Sequence, residues 1–107
     1  MSITPRRLCQ VVLTTTPATL YTVPASTRTQ ITEIWLANNS ATTRFVTLRA
    51  PANLANSNHL PRLEIVANGV QIVSNSKIVL TVAELLVAFQ DTGNDVVLTA
   101  YGVEEVI

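Results

Sequence analysis

Cysteine occurs once in this chain, at Cys9, so neither an internal disulfide nor a cysteine zinc site is open to it. A small domain without disulfides draws its stability from packing, and oligomerisation is a usual supplement. Charge is also scarce: 13% of residues are charged, with seven basic and seven acidic side chains. That is about half the usual globular share, and a net charge near zero favours association over free solution. Part of the surface is therefore expected to be covered by copies of the chain or by a partner. No basic stripe is present and the isoelectric point is near 6.5, which argues against a nucleic-acid partner. No apolar run approaches the roughly 18 residues of a membrane-spanning helix, so no membrane partner is expected. The first residues, MSITPRRLCQVVLTTT, carry two arginines but lack the longer apolar stretch of a signal peptide.

Short β-rich runs separated by turn residues fill the 107-residue chain, enough for one domain. Residues 1–13 are read as an N-terminal arm and first strand, the arm ending at Arg7 and the strand starting at Leu8. Residues 14–107 are read as the sandwich domain. Leu20–Val23 precedes a turn at Pro24, and Gln30–Ala37 is a longer run. Strict alternation places Thr32, Ile34 and Leu36 on one face and Ile31, Glu33 and Trp35 on the other. Arg44–Arg49 resumes the alternation with Val46 and Leu48 on one side. Residues 50–59 (APANLANSNH) form the longest irregular stretch, of a composition that suits an exposed loop. Leu63–Ala67 reads as a strand, Asn68-Gly69 as a two-residue hairpin turn, and Val70–Val73 as its return strand. Ser74-Asn75-Ser76 reads as a further turn before Lys77–Val82. Ala83–Phe89 has helix-favouring residues but is too short for a helix and alternates at Leu85, Val87 and Phe89, so it is assigned to a strand. In the last run, Val96–Val106, residues Val96, Leu98 and Ala100 alternate against Val97, Thr99 and Tyr101. About eight strands with turns every eight to twelve residues predict an all-β chain: a single-domain antiparallel β-sandwich, jelly-roll-like.

Residue chemistry gives no catalytic centre. His59 is the single histidine, and a nucleophile with an orienting carboxylate is not patterned around it. Cys9 lies among apolar strand residues. The seven carboxylates, Glu33, Glu64, Glu84, Asp91, Asp95, Glu104 and Glu105, scatter over strand ends and turns rather than forming a hydrolytic pair. Asp91, Asn94 and Asp95 around Gly93 offer oxygen ligands but not a regular calcium loop, and a turn held by Asx side chains accounts for them. Asn38-Asn39-Ser40 matches a glycosylation acceptor and equally reads as a turn. No cofactor, metal or enzymatic activity is expected. Trp35 and Phe45 suit a core or subunit interface, or a sugar-stacking surface.

Three segments together resemble a known family. They are Leu20-Tyr21-Thr22-Val23-Pro24-Ala25, then Ile34-Trp35-Leu36-Ala37-Asn38-Asn39-Ser40, then Val46-Thr47-Leu48. Leu60-Pro61, Ala67-Asn68, Val79–Val82 and the closing Val96-Val97-Leu98-Thr99-Ala100-Tyr101-Gly102-Val103-Glu104 extend the match over residues 14–104. In this pattern the chain resembles small β-sandwich or jelly-roll structural proteins of tailed-phage virions. The resemblance implies a homo-oligomer, with a trimer favoured, bound to major capsid or other virion proteins and localised to the virion. A capsid decoration (cement) role is implied, with a neck, tail or fibre module, or a receptor- or glycan-binding module, as the alternative. The chain has no glycine-rich or coiled-coil shaft, which favours decoration over a fibre tip. Interface contacts are expected from residues 1–8 and 50–59, specifically Arg6, Arg7, Leu8, Asn53, Leu54, Asn56 and His59, together with Trp35.

Overall fold

The computed structural model describes the backbone of residues 2–50 and 58–107, and their side chains except at residues 2, 58–61 and 74–77. Eight strands follow one another: β1 (Ser2–Val12), β2 (Ala18–Thr22), β3 (Thr27–Asn38), β4 (Arg44–Arg49), β5 (Asn58–Ile65), β6 (Val70–Leu80), β7 (Leu85–Gln90) and β8 (Val96–Val106). They form two four-stranded antiparallel sheets, ordered β1-β8-β3-β6 and β2-β7-β4-β5. The first, of strands 11 or 12 residues long, is called the long sheet here. The second, of strands 5 to 8 residues long, is the short sheet. Only β4 and β5 are consecutive in sequence and paired in one sheet; every other connection crosses between sheets. That winding is a jelly roll.

Alternating strands of β-branched and aliphatic residues build the core between the layers. Ile31, Ile34, Leu36, Leu98 and Ala100 of the long sheet meet Val46, Leu48, Ile65, Leu86 and Ala88 of the short one, all essentially inaccessible. Each fully buried Leu, Ile or Val contributes about 1.5–3 kcal/mol by leaving water. Leu13, Val23 and Val96 close the cluster near the crossings between sheets.

The structure corrects several local expectations. The arm expected to end at Arg7 is, from Ser2 on, half of a strand. β1 pairs along its length with β8, from Ser2 against Val106 to Val12 against Val97. Its Thr-Pro-Arg-Arg composition hid this, because an edge strand tolerates proline and outward charge. Asn68-Gly69 makes a turn, with Asn68 at φ +54°, yet not a hairpin: β5 and β6 lie in different sheets. Ser74-Asn75-Ser76 does not break the chain; it lies within β6. There the register with β3 shifts, Ile31 facing Ile78 and Glu33 facing Ser74. The turn before β7 is at residues 81–84, where Ala83 takes φ +69°, so the strand starts at Leu85.

The same irregularity resets the faces of β3. Its ladder with β8 also slips between Ile31 and Glu33, so Ile31 turns inward with Ile34 and Leu36 instead of outward with Trp35. β1 is bulged at Leu8, between Arg7 and Cys9. Both bulges flank Gly102 of β8, which sits opposite Arg6 and Ile31. A Cβ there would stand 2.4 Å from the Gln30 carbonyl oxygen and 2.9 Å from Leu8 Cδ1.

Candidate functional site

The two sheets differ in what their outer faces carry. On the short sheet the aromatic rings lie beneath cations. The Arg62 guanidinium sits 3.8 Å from the centroid of Phe45 and the Arg49 guanidinium 5.1 Å from that of Phe89. Such contacts stabilise by about 0.5–1 kcal/mol at exposed sites and keep the ring faces from bulk water. Val87 beside them is 8% exposed.

The long sheet presents large apolar side chains to solvent. Register defines its rows across β1, β8, β3 and β6. Val12, Val97, Ala37 and Val70 form one row. Gln10, Thr99, Trp35 and Ile72 form the next, and Arg7, Tyr101 and Glu33 a third. Trp35 is 42% exposed, Tyr101 41%, Ile72 43%, and Val12, Val70 and Val79 half or more. The indole N–H of Trp35 donates to the Glu33 carboxylate, which fixes the ring against the sheet. Gln10 donates to the Thr99 hydroxyl at 3.2 Å. Toward the far end of the face a shallow hollow of about 350 Å³ is lined by Ile3, Arg28, Gln30, Val79, Val103 and Glu105. Arg28 and Glu105 form an ion pair there.

Two polar groups of residues lie elsewhere and serve the fold. Tyr21 of β2 hydrogen-bonds Glu104 of β8 and lies 2.7 Å from the Thr29 hydroxyl of β3. Arg6 Nε approaches Glu104 at 3.0 Å. Burial, reinforced by the bond to Glu104, pushes the Tyr21 hydroxyl up to about 12. At the opposite end, Arg44 pairs with Asp95 at 3.0 Å and Gln90 donates to Asp95 at 2.9 Å. The Arg44 hydrogen bonds, then that from Gln90, hold the Asp95 carboxyl down at about 2. Asp91 accepts the backbone N–H of Phe45 at 3.3 Å. These carboxylates are engaged by donors from β4 and β7 rather than by the i to i+2 backbone bonds of Asx turns. Among the described residues no three His, Cys, Asp or Glu side chains could hold a metal ion. Asn38 is 2% exposed and its amide donates to the carbonyls of Thr42, Ile65 and Val66, so it is a buried tie, not a sugar acceptor.

The residues expected at an interface are dispersed. Arg7 and Trp35 fall on the outer face of the long sheet. Arg6 is tied to Glu104, and Leu8 packs against the core at its bulge. Asn53, Leu54 and Asn56 lie outside the described residues. His59 belongs to β5, the edge strand of the short sheet. Cys9 is partly buried, and burial raises its thiol pKa, opposed by a backbone hydrogen bond to Ala100. A thiol kept protonated is a poor nucleophile. The apolar face itself, with Tyr101, Ile72, Val70 and Val12, was not singled out by the sequence. Its signal was there: runs such as Val96-Val97-Leu98 are apolar on both sides of the strand, which marks a sheet meant to be covered twice.

No protein-family model matches the chain, and no curated protein matches it. Among solved structures, the fold is similar to that of a Bacillus endospore appendage protein, described as forming a novel family of disulfide-linked pili. The TM-score is 0.58 at 7% identity, covering 99% of this chain and 89% of that one. At this identity the likeness establishes a shared small all-β fold.

Proposed function

We propose that this protein is a structural subunit that works by packing against other protein chains in a larger particle, and that the particle is a phage virion, with capsid decoration as its role. The observation that carries the reading is the outer face of the long sheet. Trp35, Tyr101 and Ile72 stand there over 40% exposed, whereas the rings of the short sheet are capped by arginines. A contiguous apolar face of this kind marks an interaction surface. The virion assignment is supported by the residue pattern over 14–104. The appendage protein of similar fold is itself described as forming pili, which supports assembly as a use of this architecture. Burial of the face removes apolar area from water at roughly 25 cal/mol per Å² and so reinforces subunit junctions.

The test is the mass of the purified protein by light scattering, followed by mixing with particles lacking it. An oligomer that binds those particles at stoichiometric copy number is expected. A monomer that ignores them would sink the reading. A second reading, glycan or receptor recognition, draws on Trp35 and Tyr101 standing exposed in neighbouring rows beside Glu33 and Gln10. Binding on a glycan array that is lost in Trp35→Ala would favour it.

A further inference from the structure

We propose that the long sheet docks face to face on the long sheet of a second copy, around a two-fold axis running along β8. The inference rests on the reading of the chain as an assembling structural subunit and specifies its partner and geometry. Charge selects the arrangement. In the row Arg7–Tyr101–Glu33, a cation on β1 and an anion on β3 lie on opposite sides of β8. Among the described residues neither forms an ion pair within the subunit. A two-fold axis along β8 exchanges the β1 and β3 sides, so Arg7 meets the partner's Glu33 and Glu33 meets the partner's Arg7. An axis across the strands through that row would set Arg7 on Arg7 and Glu33 on Glu33, which like-charge repulsion opposes. The favoured axis also places Val12 against the partner's Ala37 and Trp35 against the partner's Gln10; Glu105, on the axis, meets its own copy with its charge offset by Arg28 in each subunit.

Size agrees with this occupant. The axis along β8 superposes three strands of each copy, β1, β8 and β3; spaced about 4.8 Å, with five cross-strand rows about 6.7 Å apart, they give a shared face on the order of 500 Å². Two copies then bury on the order of 1,000 Å², about the least that a specific protein interface needs. The zero net charge of the chain sets no long-range repulsion against a second copy. The same patch on both subunits makes the contact isologous and closed.

Charge reversal in separate chains tests the geometry. Arg7→Glu alone puts four carboxylates at the two contacts, and Glu33→Arg alone puts four guanidinium groups there. Each variant should lose dimer affinity by at least about a hundredfold, while an equimolar mixture of the two should recover a dimer, because every contact in the mixed pair is again opposite in sign. Tyr101→Arg, which meets its own copy on the axis, should dissociate the dimer independently; all three sites are on the outer face, and circular dichroism checks that each variant is folded. Analytical ultracentrifugation reads the outcome. A wild-type trimer, or an oligomer indifferent to all three substitutions, overturns the proposed face and leaves the structural-subunit reading standing. A wild-type monomer that still binds particles also overturns the face alone; a monomer that binds neither itself nor particles overturns both.

Discussion

The Tyr21 hydroxyl on the short sheet hydrogen-bonds the Glu104 carboxylate on the long sheet, which also receives Arg6 from β1. One buried carboxylate thus joins two layers and an edge strand. Tyr21→Phe keeps the ring packing and removes the bond. A hydrogen bond to a charged group contributes about 1.5–3 kcal/mol, so a loss of that order is expected in the urea unfolding free energy. An unchanged midpoint would show that solvent replaces the hydroxyl at no cost.

The same hydroxyl gives the fold an alkaline limit. Its pKa rises from 10.0 to about 12 on folding, so the folded state holds the proton more tightly than the unfolded chain. The associated stability is complete below pH 10.0 and is lost between there and about 12. Asp95 works in the other direction. Its pKa falls from 3.8 to about 2, so its contribution is present above 3.8 and fades as pH drops toward about 2. Thermal melts across pH should show both limbs. Tyr21→Phe should flatten the alkaline one and Asp95→Asn the acid one, each without touching the other.

Gly102→Ala should destabilise the fold by roughly 1–3 kcal/mol, the usual range for overpacking. The added methyl meets the Gln30 carbonyl at 2.4 Å, and a backbone atom in a paired strand has little room to withdraw. A guanidinium titration reads the cost. Gly69→Ala is the informative comparison, since there the nearest atom is Val66 Cγ2, part of an exposed side chain that is freer to turn aside.

Asn38→Leu should lower stability by about 2–4 kcal/mol, because it leaves the carbonyls of Thr42, Ile65 and Val66 without this donor at a buried site. Chemical denaturation measures it. If glycosylation were the purpose of this residue, the same substitution would leave the unmodified protein as stable as before.

Removing residues 1–7 should lower the melting temperature markedly rather than leave a stable domain. It takes away the pairing of β1 with Tyr101–Val106 and the Arg6 contact to Glu104. Calorimetry on the truncated chain decides this. A melt equal to that of the full chain would show that the first half of β1 adds nothing to the stability of the fold.

Periodicity exposed most of the architecture. Arg44–Arg49 and Val96–Val106 match their predicted strands end to end, because alternation and flanking turn residues are local signals. The faces of β3 were misassigned at Ile31 because one bulge at Thr32 inverts everything beyond it. Bulges answer to neighbouring strands, and both ladders of β3 shift at this one. Asn68-Gly69 was legible as a turn but not as a crossing between sheets, since a turn motif encodes direction of chain reversal and not the identity of the next neighbour. Trp35 and Arg7 were named for an interface, but their common face became visible only when register put them two strands apart on the same side. Leu8 was named too, and its inward bulge took it to the core.

The pairing of Ser2 with Val106 brings the first and last strands together at one end of the sandwich. A peptide of a few residues could bridge those ends, so the chain can be reopened at the 91–94 turn as a circular permutant with its two sheets intact. Cargo genetically attached at either end would leave the subunit from the same pole, which suits the protein to displaying two different passengers side by side.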